Sequence, residues 1–389
     1  MTTAIKSRPE SFGGIIASEE PPFLAFVDRQ FMRENGSSDQ ACWQEGKDGI
    51  VGTLSAPVEI HFACTNRCSL GCSHCYMDAG NALPEELDTG RFREALSKIA
   101  AMGIFHVALG GGEALERRDL FDLAAHARSI GLVPNLTTNG IHVDATTAQR
   151  MRVFGQVNLS LDGIGQAART YRDGADFAII DRAIGELLKA GVSTGINCVV
   201  GRNNIDALPN LFRYAAERGI SEIELLRYKP SGRGLAQYEL HRPTPTQNRS
   251  IYPLFQRLSD RYRVRAKIDC SFVPMLCCHH PPRELLEAHC VCGCEAGNYL
   301  LGAHSDGRVC GCSFLPALDL TIDDLQQQWH TADALRQYRD WSRMGTEPCA
   351  SCPYLSICKG GCHAVSLAVC NDIDAPDPDC PMVRELLDR

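Results

Sequence analysis

The sequence contains no apolar run that approaches the roughly 18 residues a membrane-spanning helix requires. Its first residues, MTTAIK, lack a basic segment followed by an apolar stretch, so no secretory signal is visible. It also lacks a cluster of Lys and Arg for binding phosphates, and its net charge at pH 7 is -8. We therefore predict a cytoplasmic protein that neither enters a membrane nor binds nucleic acid in general.

Cysteine, in contrast, is abundant: 20 of the 389 residues are cysteine. The reducing cytosol disfavours a disulfide framework, so metal ligation explains this number better. Four cysteines lie between positions 64 and 75, whereas fourteen lie from position 270 onward. This uneven placement predicts a boundary between two parts of the chain.

Between residues 58 and 234, short apolar runs alternate with amphipathic stretches, in one of which Phe92, Leu96 and Ile99 share a helical face. Glycines at positions 103, 131, 155, 191 and 219 stand where helices would end in a left-handed residue. Six strands and five helices in this order predict an α/β fold with a parallel sheet, either open or curled into a partial barrel. Its binding face would lie at the carboxyl ends of the strands. The predicted strands are Val58–Phe62, Ile104–Leu109, Leu132–Leu136, Val157–Leu161, Val192–Val200 and Ile220–Leu226.

The chain divides into four predicted parts. Residues 1–57 form an N-terminal extension with two short strands followed by a helix. The repeating unit occupies residues 58–240, and a bridge occupies residues 241–289. Residues 290–389 form a cysteine-rich module with little periodicity, which would need bound metal for its stability.

The first four-cysteine segment begins where the first predicted strand ends. Cys68, Cys72 and Cys75 are separated by three and two residues, so one tight loop can bind three irons of a cubane and leave the fourth iron open. A structural zinc site, which is the alternative, would be closed by four ligands. Cys64 lies outside this spacing, and we interpret it as a buried or spare thiol.

The three-cysteine spacing after the first strand of a β/α repeat resembles the radical SAM superfamily. The resemblance implies a partial (β/α)6 TIM barrel whose open iron binds the amino and carboxylate groups of S-adenosylmethionine. It further implies that one electron cleaves this cofactor into methionine and a 5'-deoxyadenosyl radical, which abstracts hydrogen from a substrate. No side-chain acid or base is singled out by the sequence.

Further motifs follow at later strand ends. Glycines 111 and 112 would let the backbone approach a ligand, and Glu113 could take an ammonium group. By resemblance, these three residues bind the methionine amino group, His74 packs near the adenine, and three polar residues line the nucleoside and carboxylate side. Arg172 and Arg227 are additional candidates, with ion pairing as their alternative role. The predicted cofactor contacts are His74, Gly111, Gly112, Glu113, Asn139, Ser160 and Asp162.

The C-terminal cysteines form a second array of seven, which exceeds the four ligands of a zinc ribbon. Their spacing resembles the SPASM extension of radical SAM enzymes, which implies two auxiliary [4Fe-4S] clusters in addition to the first. The resemblance assigns Cys294, Cys312 and Cys362 to the first auxiliary cluster. It assigns Cys349, Cys352, Cys358 and Cys380 to the second.

The first auxiliary cluster then lacks a fourth ligand. We favour Cys290 on spacing, with Cys292 close by and Cys270, Cys277 and Cys278 further upstream. If none of these binds, the cluster has an open iron that could bind substrate. Cys42, Cys198 and Cys370 are interpreted as ordinary thiols.

Enzymes with this layout mostly modify peptides, so the resemblance implies maturation of a ribosomally made precursor peptide. Because residues 1–57 are short for a complete leader-binding domain, a separate leader-peptide recognition protein is a predicted partner. An electron donor such as flavodoxin or ferredoxin is another. The alternatives are a radical SAM enzyme acting on a small molecule, such as a tetrapyrrole or cofactor precursor, and a zinc-binding protein without catalysis.

Overall fold

The computed structural model describes residues 5–19, 22–36, 42–43 and 52–387. Its central repeat confirms the predicted alternation of six strands with five helices. The strands of the repeat are β4 (Glu59–Thr65), β5 (His106–Gly111), β6 (Val133–Thr138), β7 (Val157–Ser160), β8 (Thr194–Val200) and β9 (Glu222–Arg227). The helices between them are α2 (Thr89–Ala101), α3 (Leu120–Ser129), α4 (Ala145–Arg150), α5 (Phe177–Lys189) and α6 (Leu208–Arg218).

Shorter elements flank the repeat on both sides. Before it come β1 (Lys6–Glu10), β2 (Gly13–Glu19), β3 (Pro22–Asp28) and α1 (Arg29–Glu34). After it come α7 (Arg233–Ala236), α8 (Tyr238–His241), α9 (Pro245–Tyr262), β10 (Arg265–Ile268), α10 (Val273–Cys277) and α11 (Arg283–Ala288). The C-terminal part contains β11 (Leu300–Ala303), β12 (Arg308–Cys310), β13 (Ala317–Thr321), α12 (Ile322–Gln328), α13 (Asp333–Met344), α14 (Leu355–Cys358), α15 (His363–Cys370) and α16 (Pro381–Leu387).

The six strands of the repeat are consecutive parallel neighbours in one mixed sheet with the order β10-β9-β8-β7-β6-β5-β4-β11-β12-β13, in which β12 pairs antiparallel with both β11 and β13. Among the described residues the sheet has two free edges and is therefore not a closed barrel. Side chains from distant strands, including Glu59 on β4, Asn135 on β6, Asn197 on β8 and Lys267 on β10, line one cavity. The sheet thus curves around this cavity, and the expected partial barrel is confirmed.

The sheet extends beyond the predicted repeat at both edges. β10, which lies within the predicted bridge, pairs in parallel with β9, and Arg265 is opposite Glu222. β11, which lies within the cysteine-rich part, pairs in parallel with β4, and Leu300 is opposite Glu59. The three later parts of the chain therefore share one sheet, and their boundaries at residues 240 and 289 stay a prediction.

Three antiparallel strands, not the two expected, precede the repeat. The sequence pattern does not predict β1, because this strand lacks alternating apolar residues. Its buried side chains include an ion pair instead, with Arg8 Nε 2.8 Å from Glu10 Oε1. Arg8 also donates to the carbonyls of Pro57 and Ala56, each at 2.7 Å. Because Ala56 and Pro57 directly precede β4, the small sheet packs at the amino ends of the barrel strands.

Helix packing follows the predicted faces. Phe92, Leu96 and Ile99 on α2 are fully buried, and the Phe92 ring stacks 4.2 Å from the ring of Phe62 on β4. Four of the five predicted helix-ending glycines have a φ between +73° and +79°, but Gly155 is not among the left-handed residues. Gly155 is needed for space instead, because a Cβ there would lie 2.6 Å from Val133 Cγ1. Within the described residues, no helix is both long and apolar enough to cross a bilayer.

Candidate active site

The three-cysteine loop follows β4 and folds back on itself before α2. Two backbone hydrogen bonds close its neck: Cys68 N donates to the carbonyl of Gly80 (2.8 Å), and Gly80 N donates to that of Asn66 (2.9 Å). Inside the loop, Cys75 N donates to the carbonyl of Cys72 (3.2 Å). All three predicted cysteine ligands line the cavity at the carboxyl ends of the strands.

Gly111 and Gly112 hold this loop against the end of β5. Gly112 N donates to the carbonyl of Thr65, and Glu113 N donates to that of Arg67, both at 2.8 Å. A Cβ on Gly112 would lie 2.2 Å from Arg67 O, and a Cβ on Gly111, whose φ is +108°, would lie 2.5 Å from Thr65 O. The close approach that requires these glycines is therefore to the cysteine loop. The sequence predicted an approach to a ligand.

Glu113 is buried, and its carboxylate joins the ends of two strands. Oε1 accepts hydrogen bonds from Thr138 Oγ1 (2.8 Å) and Leu115 N (3.1 Å), and Oε2 accepts one from Asn139 N (2.8 Å). Burial raises the pKa of Glu113 above its ordinary value. The protein thus already uses both oxygens, and ammonium binding by Glu113 stays a prediction.

Asp162 lies behind the cavity wall and orients two residues that form it. Its carboxylate accepts a hydrogen bond from Val199 N (2.8 Å), pairs with Arg172 Nε (2.7 Å) and lies 3.8 Å from His74 Nε2. His74 and Arg172 line the cavity, whereas Asp162 does not. Burial, followed by the charge of Arg172, lowers the pKa of His74 to about 4, so its ring is neutral near pH 7.

A segment that the sequence interpretation overlooked supports the loop from the other side. Arg233 donates from its backbone N to the carbonyl of Cys75 (2.9 Å) and from Nε to the carbonyl of Cys72 (3.0 Å). Gly232 has a φ of +54°, and a Cβ there would lie 2.4 Å from Cys75 O. The sequence did contain a signal for this segment, the run SGRG at positions 231–234. This run follows the sixth strand of the repeat, just as the glycine run at positions 110–112 follows the second strand.

The strand ends enclose a cavity of about 320 Å³, within the size range of small-ligand sites. Several buried nitrogens of lining residues have no hydrogen-bond partner in the described part of the chain, among them Asn139 Nδ2, Arg233 Nη2 and His304 Nε2. Buried polar atoms are normally paired, so these atoms indicate a polar ligand. The sequence-predicted residues on the wall are Cys68, Cys72, His74, Cys75, Gly111, Gly112, Glu113, Asn139, Ser160, Arg172 and Arg227.

The loop thiols suit a metal cluster. Burial raises the pKa of Cys68 to about 11 and also raises that of Cys72, which Arg172 opposes. Such thiols are protonated at pH 7 unless a bound metal supplies positive charge. Among the described residues, no three His, Cys, Asp or Glu side chains are arranged to hold a single metal ion. The three thiols belong to one short loop and line the same cavity, which suits the predicted three-cysteine cluster.

The seven C-terminal cysteines have thiol neighbours within each of two groups, and their assignment as ligands of two clusters stays a prediction. Cys294 and Cys312 pack against buried Cys362, and burial together with these two neighbouring thiols raises the pKa of Cys294 to about 12. In the second set, burial followed by the neighbouring thiols of Cys358 and Cys352 raises the pKa of Cys349 to about 12. Cys380 lies beside Cys358 and completes that set.

Cys290, the favoured fourth ligand of the first set, is exposed and has a left-handed backbone with a φ of +51°. The Cys292 thiol donates to Glu295 Oε1 (2.6 Å), and the Cys278 thiol donates to the carbonyl of Met275 (3.3 Å). Spacing along the chain therefore does not identify the fourth ligand, and Cys290 as a ligand stays a prediction without structural support.

The remaining candidates lie in different surroundings. Cys64 and Cys198 are fully buried in the barrel core, as expected for ordinary thiols, and Cys370 is exposed. Arg227 is 1% exposed, forms a buried ion pair with Asp377 at 2.6 Å and also lines the cavity, so a role in the site stays a prediction.

Comparison with known proteins gives a consistent result. Residues 62–215 match the family model of the Radical SAM superfamily. The chain is 29% identical over 337 residues to the mycofactocin maturase MftC of Mycolicibacterium smegmatis, covering 84% of this chain and 83% of that protein. It is 27% identical over 337 residues to the PqqA peptide cyclase of Xanthomonas campestris pv. campestris strain B100, covering 85% and 88%.

Two solved structures share the fold. Streptococcus suis SuiB bound to the precursor peptide SuiA matches with a TM-score of 0.74 at 17% identity, covering 97% of this chain and 99% of that one. Native anSMEcpe with bound AdoMet and the Kp18Cys peptide matches with a TM-score of 0.65 at 20% identity, covering 85% and 96%. At these identities, the likeness shows the fold.

Proposed function

We propose that this chain, whose residues 62–215 match the Radical SAM superfamily model, reductively cleaves S-adenosylmethionine and modifies a ribosomally made precursor peptide. The observation that carries the proposal is the three-cysteine loop, which Gly112 and Arg233 fasten to the rim of a ligand-sized cavity. Relatives named as a peptide maturase and a peptide cyclase support a peptide as the substrate class. The bound cofactors would supply a 5'-deoxyadenosyl radical that can take hydrogen from an unactivated carbon.

The residues around the loop divide the task of holding the cofactors. Cys68, Cys72 and Cys75 would bind three irons of the first [4Fe-4S] cluster. The Arg172 guanidinium, fixed by Asp162, offers a cation for a carboxylate. Gly111, Gly112 and Glu113 would bind the methionine amino group, neutral His74 would face the adenine, and Asn139 and Ser160 would contact the nucleoside.

Deeper in the cavity, a ladder of amide side chains forms the inner wall. Gln156 Nε2 donates to Asn158 Oδ1 (3.0 Å), and Asn158 Nδ2 donates to Asn197 Oδ1 (2.8 Å). Each amide is thereby held in place and retains further donors and acceptors. Since peptide groups have the same hydrogen-bonding chemistry, we place the backbone of the modified residue against this wall.

We further propose two auxiliary [4Fe-4S] clusters on the two C-terminal cysteine sets, which makes three clusters in total. The first set borders the cavity, because the ring of Phe314, two residues beyond Cys312, lies 5.0 Å from the ring of Tyr76 beside Cys75. Electrons could therefore pass between this set and the active site over a short distance. A reduced protein such as flavodoxin or ferredoxin would supply electrons from outside.

The N-terminal sheet supports a separate leader-peptide recognition partner. β1 to β3 pack at the amino ends of the barrel strands, opposite the cysteine loop. A leader bound there would have to pass around the barrel before its core segment reached the cavity.

The oxygen sensitivity of exposed clusters and the many free thiols support a cytoplasmic location.

The test is anaerobic purification followed by incubation with S-adenosylmethionine, a reductant and each small candidate precursor peptide found by inspecting the neighbouring genes. We expect about twelve irons per chain, release of 5'-deoxyadenosine and a mass change in the peptide. Cys72→Ala should abolish 5'-deoxyadenosine while about eight irons remain. Cys370→Ala, which changes an exposed thiol outside both sets, should behave as wild type.

The same assay separates the alternatives. Zinc without iron would refute the whole proposal. Steady release of 5'-deoxyadenosine with a tetrapyrrole or cofactor precursor, but never with a peptide, would assign the enzyme to small-molecule chemistry. An iron content of about four per chain would refute the proposal of auxiliary clusters but would agree with the first cluster.

A further inference from the structure

We propose that Cys270 is the fourth ligand of the first auxiliary cluster, which is thereby closed by four thiolates and has no iron open to substrate. The inference rests on the proposed function, because it presupposes a cluster on Cys294, Cys312 and Cys362. Its basis is the position of Cys270, at the start of a short turn directly after β10.

One buried ion pair ties the backbone beside Cys270 to that of Cys362. Arg227 Nη1 donates to the carbonyl of Ser271 (3.2 Å) and to Asp377 Oδ2 (2.6 Å). The same Asp377 oxygen accepts a hydrogen bond from Cys362 N (3.0 Å). The end of the barrel sheet and the Cys362 turn are therefore held together around a single carboxylate.

A second contact approaches Cys270 from the opposite side. Its neighbour Asp269 forms an ion pair with Lys229, and both side chains are buried. Lys229 Nζ lies 4.2 Å from the centre of the Phe314 ring, and Phe314 packs in the same hydrophobic cluster as Cys294 and Cys312. The residues on either side of Cys270 in the chain are thus tied to Cys362 and to the hydrophobic cluster against which Cys294 and Cys312 pack.

The Cys270 thiol has the neighbours expected of a fourth ligand. It is exposed, and it lies within electrostatic range of the thiols of Cys294 and Cys362. Cys294 and Cys312 are themselves partly exposed, and both lie within the same range of Cys362. With Cys270 the group contains four thiols, which is the number that a fully ligated cubane requires.

The other cysteines considered are engaged elsewhere. Cys277 is fully buried and hydrogen-bonds with Cys358, which belongs to the complete second set. Cys278 and Cys292 donate to Met275 and Glu295, as described above. Cys290 is exposed like Cys270, but none of the groups that act on the thiols of Cys294 and Cys312 is Cys290, and its backbone is left-handed. A ligand from the bridge at residues 241–289 also means that the ligand set begins before the predicted boundary at residue 290.

The experiment uses the full chain with the first cluster removed by the substitutions C68A, C72A and C75A, so that only auxiliary clusters contribute signals. Into this parent we introduce C270S, and separately C290S as the matched control. Iron content, Mössbauer spectra and the EPR spectrum of the dithionite-reduced protein are measured. We expect about eight irons in the parent and in C290S, whereas C270S should shift the EPR signal of one cluster and leave the other unchanged.

A chemical rescue distinguishes ligation from a structural role. C270A should lose iron from one cluster or show an altered spectrum, and reconstitution with a small exogenous thiol should restore the parent spectrum. A spectrum that changes in C290S, or stays identical to the parent in C270S and C270A, would overturn the assignment. A parent without any iron would instead refute the auxiliary clusters of the proposed function, which is a different outcome.

Discussion

Substitution of Gly112 by Ala is expected to displace the cysteine loop and impair cofactor cleavage. The new Cβ would lie 2.2 Å from Arg67 O, 2.7 Å from Arg67 C and 2.9 Å from Asn66 O. All three atoms belong to the backbone, so no side-chain rotation can relieve the contacts. The two segments must move apart by about 1 Å, which is the separation missing from an ordinary carbon-oxygen contact.

This movement would lengthen the hydrogen bonds from Gly112 N to Thr65 O and from Glu113 N to Arg67 O, both now 2.8 Å. Cys68 is the next residue after Arg67, so its thiol would move as well. A displacement of about 1 Å at a reacting centre can cost about 100-fold in rate. We therefore expect Gly112→Ala to lower the rate of 5'-deoxyadenosine formation per chain by about two orders of magnitude.

Gly185→Ala on α5 is the control, because a Cβ at Gly185 would meet nothing within 4 Å and the residue does not line the cavity. Its rate should stay within about threefold of wild type, since changes away from the site and the core are nearly neutral. The rate is measured by liquid chromatography under anaerobic conditions, with iron content determined on the same samples. Equal rates for the two variants would refute the view that the glycine run positions the cysteine loop.

Two further predictions concern stability. Arg227→Met should destabilise the protein by about 3–5 kcal/mol in anaerobic urea denaturation, because it leaves Asp377 buried without its cation, whereas Asp379 keeps its ion pair with Arg242. Arg283→Ala, which breaks an exposed helical pair with Glu287, should cost below about 0.5 kcal/mol, and equal losses would contradict the assignment. Burial alone would raise the pKa of Glu59, but the His61 hydrogen bond and the charges of His61, His106 and Lys267 lower it to about 2. Its ionised form therefore contributes stability above its unfolded-state pKa near 4.5, and this contribution is lost as the pH falls toward 2. Glu59→Gln should flatten the acid limb of the stability profile, whereas Glu94→Gln, at an exposed side chain, should leave it unchanged.

Local patterns in the sequence predicted the barrel repeat well, although most observed strands begin and end one to three residues later than the predicted ones. The run Val58–Phe62 predicts a strand that the structure places at Glu59–Thr65, and the other five strands also end at or near the predicted limits. The offset arises because backbone pairing continues past the apolar run, as between Thr65 and Gly111. The apolar residue before the strand packs at the amino end instead, as Val58 does.

Non-local pairing could not be predicted in this way. β11 contains only Leu300–Ala303, and nothing within four residues indicates that β4 is its partner. Arg233 likewise carries no local sign that it will reach the carbonyl of Cys72. Both contacts depend on the closure of the whole sheet, which brings distant segments to one rim.

The two auxiliary cysteine sets illustrate the same limit in one region. The second set takes Cys349, Cys352 and Cys358 from one short segment, so their spacing alone indicates a common site. The first set takes its members from separate segments that β10, β11 and the Arg227 to Asp377 ion pair bring together. Spacing favoured Cys290 because it is close in sequence to Cys294, whereas the fold brings Cys270 close in space. A ligand set assembled by tertiary structure is thus recognised by the residues that surround each thiol. The spacing of its cysteines in the sequence carries little information.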